Sequence, residues 1–186
     1  KFPVFLKDEL YQYIEGKNIS EDEFLINYYI ADIISAINGI SRSPILPSMG
    51  CSSFFYKLKE SVHHLRILDY PLGPNVDTFQ KDILFALKGF QKTYTKTYID
   101  IPLPVLTSIN ESKLSFALHQ KSSNEVNFQG RSIFELTSKI ALTAKNIDDV
   151  IKIAENFESI CSWGINIASQ NDSSAYEVEV SPGEPP

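Results

Sequence analysis

Thr93-Tyr94-Thr95-Lys96-Thr97-Tyr98-Ile99-Asp100-Ile101 alternates without a break. Thr93, Thr95, Thr97, Ile99 and Ile101 share one face, and Tyr94, Lys96, Tyr98 and Asp100 share the other. A period of two marks a strand with one covered face and one solvated face. Outward from it, Ser52 to Tyr56, Val62 to Leu68, Ile83 to Phe90, Val105 to Ile109 and Leu114 to Leu118 also read as strands. Gly, Pro, Asn or charged turns separate them. Helices are predicted downstream over Ser132 to Thr143 and Ile147 to Phe157. Asn146 is the N-cap of the second, and Asp148 and Asp149 lie in its first turn, where the helix dipole favours negative charge. The strands Trp163 to Ala168 and Ala175 to Val180 close the pattern.

Upstream, residues 1–43 read as helical. Phe5, Leu6, Leu10, Tyr13 and Ile14 keep helical spacing, and Gly16 with Asn18 stops that segment. Ser20 and Glu23 form a capping-box signal ahead of an apolar helix carrying Phe24, Leu25, Tyr28, Ile30, Ile33, Ile34 and Ile37. Gly39 is expected to end it. Pro44 and Pro47 then impose an extended connection. Helices, a meander of strands, a helix pair and two more strands define an α+β layered domain rather than a doubly wound sheet.

With 186 residues and 43% apolar composition, the chain has enough material for one substantial core. The net charge is −6 and the basic residues are scattered, so no basic face exists to neutralise phosphates, and nucleic acid is excluded as a partner. The acidic balance predicts a soluble protein. The longest apolar stretch is interrupted by Asp32 and falls short of the ~20 residues that span a bilayer, so no transmembrane segment is expected. The chain begins Lys1-Phe2-Pro3, compatible with removal of a signal peptide, and its compartment stays open. The two cysteines, Cys51 and Cys161, have neither a disulfide framework nor zinc-ligand spacing. Cys161, beside Trp163, reads as core filling.

Cys51 follows a glycine in Met49-Gly50-Cys51-Ser52-Ser53, and Arg66-Ile67-Leu68-Asp69-Tyr70 follows on the next strand. Cleavage between Gly50 and Cys51 would give Cys51 a free α-amine, placing nucleophile and base on one residue. A buried cysteine serving as a small hydrophobe is the plainer alternative. Asp69 is suited to accept from that amine. Arg66 is suited to hold a thiolate, since a nearby cation lowers a thiol pKa. A surface ion pair of little energetic weight is the plainer reading of Arg66 and Asp69. Three residues apart on a strand, they share a face only if the chain bends, which Pro71 and Gly73 would permit.

His63-His64 cannot jointly hold one metal without a bulge, because adjacent strand residues face opposite sides. A Cys–His protease is a formal alternative in which replacing His63 or His64 abolishes activity; a cysteine that uses its own α-amine as base predicts little effect there. His119 and Gln120, at a strand end, are candidates for an oxyanion or substrate contact. Tyr70, Phe54, Phe55 and Trp163 are candidates for an acyl pocket, although aromatics at such spacing more often belong to a core.

These stretches resemble the cysteine N-terminal-nucleophile hydrolases, a group with choloylglycine hydrolases, penicillin V acylases, acid ceramidase-like amidases and isopenicillin N acyltransferases. Gly50-Cys51-Ser52-Ser53 is similar to the autocleavage junction of the acyltransferase branch. Arg66-Ile67-Leu68-Asp69-Tyr70 is similar to the family's Arg-Asn-Leu-Asp-Tyr/Trp strand, with Ile67 in place of Asn. Asn110-Glu111-Ser112-Lys113-Leu114 is similar to its Asn-Glu-x-Gly-Leu turn, with Lys113 in place of Gly. Arg131 through Val150 and Tyr176 to Pro182 resemble its helix pair and the strand beyond.

The resemblance implies an αββα sandwich, incomplete in this chain and completed by a further chain or segment that carries an oxyanion-hole Asn. It implies residues 1–50 as a helical propeptide or small subunit, 51–182 as the catalytic domain and 183–186 as a linker-like tail. Cys51 is implied as nucleophile, with Asp69 orienting its amine, Arg66 as charged partner, and His119 or Gln120 near the oxyanion position. The implied activity is hydrolysis or transfer of small-molecule N-acyl amides without metal or organic cofactor. A non-catalytic domain of the same fold, binding an acyl ligand or a protein, is the alternative.

Overall fold

Ser20 and Glu23 start the long N-terminal helix as a reciprocal pair. The Glu23 N–H donates to Ser20 Oγ at 3.2 Å, and the Ser20 N–H donates to Glu23 Oε2 at 2.9 Å. The computed structural model describes residues 3–41, 50–69, 80–98, 102–121 and 123–183. A 3-10 turn over Val4–Leu6 leads into α1 (Lys7–Lys17), which Asn18 closes in the left-handed conformation at φ 53°. Helix α2 spans Glu21–Ser41. It runs through Gly39, contrary to the sequence expectation. A Cβ at Gly39 would lie 2.6 Å from the Ser123 carbonyl oxygen, so this glycine permits a close approach rather than a helix end.

Eight strands follow: β1 (Gly50–Leu58), β2 (Ser61–Asp69), β3 (Gln80–Phe85), β4 (Thr93–Tyr98), β5 (Thr107–Asn110), β6 (Leu114–Gln120), β7 (Trp163–Ser169) and β8 (Ser174–Val180). Helices α3 (Ile133–Thr143) and α4 (Ile147–Ala154) lie between β6 and β7. Strands β3 to β8 form one antiparallel sheet in chain order, and β1 with β2 form a separate antiparallel hairpin. The fold is α+β. Strand β3 stops at Phe85, short of the expected Phe90, because the chain turns at Gly89 with φ 87°. Helix α4 ends three residues before Phe157.

The six-stranded sheet has helices on one face and the hairpin on the other. On the helix side, Thr93, Thr95 and Thr97 are fully buried, as the alternation demands, and Thr93 Oγ1 donates to the Ala141 carbonyl. Leu114, Phe116, Leu118, Trp163, Ile165 and Ile167 join residues of all four helices in a single core.

Helix α2 belongs to that core through Phe24, Tyr28 and Ala31. By length and composition it is the one helix, among the described residues, apolar enough to cross a membrane. Its packed face carries Asp32, 1% exposed. Asp32 Oδ2 accepts from the Ile133 N–H at 3.1 Å and Oδ1 from Trp163 Nε1 at 3.0 Å. The carboxylate thus caps α3 from another helix and ties both to β7. Cys161 is buried beside it, its thiol 3.5 Å from the Asp32 carbonyl oxygen, as core filling should be.

Candidate active site

Alternation in the hairpin sorts its residues into two sets. Cys51, Ser53 and Phe55 on β1, with His64, Arg66 and Leu68 on β2, are the half-buried set that faces the large sheet. Phe54, Tyr56, Leu65 and Ile67 point outward and are exposed. His63 stacks on Tyr56, with ring centroids 4.6 Å apart. The register pairs Gly50 with Asp69, Cys51 with Leu68 and Ser53 with Arg66.

Arg66 reaches Cys51 along the diagonal. Its Nη2 lies 3.3 Å from Cys51 Sγ and donates to the Leu118 carbonyl at 2.8 Å, while Nη1 donates to Thr107 Oγ1 at 2.9 Å. The anchoring follows from the way β5 ends. The Leu118 N–H donates to the Leu106 carbonyl, the last such link to the β5 side among the described residues. Arg66 takes the Leu118 carbonyl, and the Gln120 backbone N–H bonds the Cys51 thiol. Gln120 therefore meets Cys51 through its backbone.

Asp69 stands elsewhere. Strand β2 stays regular to its end, so Asp69 falls on the exposed face, opposite Gly50, while Arg66 faces inward. No bend brings the two onto one face, and Pro71 and Gly73 lie outside the described residues, as does Tyr70. A Cβ on Gly50 would sit 3.1 Å from Asp69 Cβ, so the junction glycine fits closely against Asp69. Burial pushes the Cys51 thiol above its ordinary value. The Arg66 charge and hydrogen bond and the Gln120 N–H act against that, and the Asp69 charge adds to it. In the uncut chain the thiol is therefore held protonated.

The same layer holds residues that the sequence reading did not connect. Ser53 Oγ lies 2.8 Å from His119 Nε2 and 3.1 Å from His64 Nε2, and His64 Nδ1 lies 3.2 Å from Ser115 Oγ. Burial keeps both rings neutral, with His64 pulled down to about 4. No histidine is hydrogen-bonded to the Cys51 thiol among the described residues, which removes the geometric basis for a Cys–His pair. The signal for His64 was available: positions 64 and 66 share a strand face, as do 51 and 53. Nearby, Lys121 pairs with Glu177 and Glu179 at 2.7 and 2.6 Å, in room left by Gly164.

Trp163 and Phe55 divide the aromatic candidates. Trp163 is core on the helix side, whereas Phe55 lies in the layer, its ring 4.3 Å from that of His64. Lys113 has φ 59°, so the position where the resemblance expects glycine does adopt the left-handed backbone. Asn110 fixes that turn by donating to the Ala144 carbonyl at 2.8 Å and accepting from the Leu114 N–H. Compared with protein-family models the chain has no match, and compared with curated proteins it has none.

Proposed function

We propose that the protein is an amidase or acyltransferase of the cysteine N-terminal-nucleophile type, acting on small-molecule N-acyl amides. The observation that carries the reading is the Arg66 guanidinium, anchored on two strands and 3.3 Å from Cys51 Sγ, beside a Gly-Cys junction facing Asp69. The left-handed Lys113 turn and the layering of helices, sheet and hairpin support the family likeness, in which the hairpin is part of the second sheet of an αββα sandwich.

Activation comes first. Cys51 Sγ attacks the Gly50 carbonyl, the S–C bond forms, the C–N bond breaks, and the thiol proton passes to the departing nitrogen. Water hydrolyses the thioester, leaving a Gly50 carboxylate and returning the thiol with a free Cys51 amine. In turnover that amine takes the thiol proton, sulfur attacks the substrate carbonyl, and the leaving nitrogen receives the proton as its bond breaks. Water or a second amine then releases the acyl group. Arg66 counters negative charge on sulfur, and Asp69, opposite the cut, is the acceptor for the new ammonium. The chemistry calls for no metal or organic cofactor. Residues 1–50 would remain held by the Asp32 contacts after cleavage.

Cys51→Ala should abolish hydrolysis of a fluorogenic N-acyl amide while circular dichroism stays unchanged. Undiminished hydrolysis by that variant overturns the reading. A second reading, a non-catalytic domain that binds an acyl ligand or a protein, is favoured by the thiol's being held protonated in the uncut chain. Under it, Cys51 and Cys161 react equally slowly with iodoacetamide; under the enzyme reading Cys51 reacts far faster.

A further inference from the structure

We propose that Ser115, His64, Ser53 and His119 form a one-directional hydrogen-bond chain that ends on the backbone carbonyl of Cys51. The chain makes Ser53 and His64 positioning residues for the thiol-bearing residue. Its direction follows from counting donors and acceptors. The His119 ring makes a backbone bond to Cys51 that favours the charged ring, as donation from a ring N–H to a carbonyl does. A carbonyl can only accept, and a neutral imidazole carries one donor and one acceptor nitrogen. Nε2 of His119 is engaged by Ser53, so the proposal assigns the Cys51 carbonyl to Nδ1, which then carries the proton while Nε2 accepts.

Each remaining link is then forced. Ser53 has one hydroxyl proton and gives it to His119. It must accept from His64, so His64 carries its proton on Nε2. His64 Nδ1 accepts, and Ser115 donates. The two histidines, within one layer, are held as opposite tautomers. Their shared burial disfavours the charged forms that would break the order.

The terminal acceptor belongs to the peptide between Cys51 and Ser52, which exists whether or not Gly50–Cys51 is cut. The chain therefore fixes the orientation of the Cys51 backbone in both states. Arg66 and the Gln120 N–H fix the side chain independently. Two strands of the large sheet thereby govern one residue of the hairpin, through Thr107 on β5 and through Leu118, His119 and Gln120 on β6. The positioning role rests on the amidase reading, whereas the direction of the chain does not.

Long-range ¹H–¹⁵N correlation of the histidine side chains at neutral pH separates the two claims. The expected spectrum shows His64 protonated at Nε2 and His119 at Nδ1. His64 protonated at Nδ1, or both rings in one tautomer, overturns the chain. Ser53→Ala should erase the fixed tautomers of both rings, and Ser53→Thr, which keeps the hydroxyl, should restore them. If amide hydrolysis exists, Ser53→Ala and His64→Phe lower kcat roughly tenfold or more with KM little changed, as expected when a reacting group is misplaced by a fraction of an ångström. The small effect that the sequence alone predicts at His64 is revised by its contacts with Ser53 and Ser115. Unchanged kcat in both variants, with opposite tautomers still seen in the parent, overturns the positioning role alone. Absence of any hydrolysis in the parent defeats the amidase reading, and the role with it, while the tautomers still decide the chain.

Discussion

Cys51 and Cys161 lie on opposite sides of one six-stranded sheet, and the difference between their surroundings explains the architecture. Cys161 is on the helix side, 2% exposed, and burial with the nearby Asp32 charge pushes its thiol up to about 12. Cys51 is on the hairpin side, half-buried, with a guanidinium and a backbone N–H directed at its sulfur. One face of the sheet is buried beneath the helices and closed by a carboxylate that caps one of them. The other is a thin polar layer with a histidine pair, two serines and an arginine. Burial raises the thiol on either side; on the helix side only a hydrogen bond with Ser35 acts against it, whereas the hairpin side sets a guanidinium charge and two hydrogen bonds against it.

The largest way to break that contrast is at Asp32. Asp32→Ala strands the Trp163 Nε1–H and the Ile133 N–H in the core, each costing about 1–3 kcal/mol. Chemical denaturation should show that loss, whereas the Cys51 labelling rate in the still-folded fraction should hardly change. A matching fall in Cys51 reactivity would show that the two faces are not independent.

Arg66→Met tests the other side. It keeps the stem but removes the charge, so the Cys51 thiol should titrate higher and its iodoacetamide reaction near neutral pH should slow about tenfold. Cys161 in the same sample is the internal control. An unchanged Cys51 rate would mean that the guanidinium does not act on the sulfur.

The pH dependence of stability separates the faces by sign. Burial raises Asp32 from 3.8 to about 7, so its native form keeps a proton that the unfolded chain has lost. That contribution is complete below pH 3.8 and disappears as pH rises through about 7. His64 is lowered from 6.5 to about 4, so the unfolded chain takes a proton first. Its contribution is complete above pH 6.5 and is lost as pH falls through about 4. Asp32→Asn should therefore remove the decline in stability toward neutral pH, and His64→Phe the decline toward acid. Urea titrations at stepped pH read both, and unchanged slopes would contradict the assignments.

Local chemistry was legible in the sequence because its determinants are local. The Ser20–Glu23 box, the Asn146 cap, which accepts from the Asp149 N–H at 2.9 Å, and the alternation from Thr93 to Thr97 all appear as read, while Ile99, Asp100 and Ile101 lie outside the described residues. Gly39 misled because a glycine looks like a helix end until the backbone it meets is known. The Cys51–Arg66 contact depends on the β1–β2 register. Two residues, Lys59 and Glu60, join those strands, with Lys59 at φ 54°. They lack the Asn-Gly or Asp-Gly signal that marks a two-residue hairpin, so the register could not be counted across the turn. Ser115 was hidden for a related reason: it lies on β6, 51 residues beyond His64, although Ser53 and His64 sit on neighbouring strands of the hairpin.

The central claim is that Cys51 becomes an N-terminal residue and uses its own amine as base. Intact-mass measurement of active protein decides it directly. The account predicts two fragments, one ending at Gly50 and one beginning at Cys51, with amide hydrolysis rising as they accumulate. A chain that stays whole across that bond while hydrolysing N-acyl amides would contradict it.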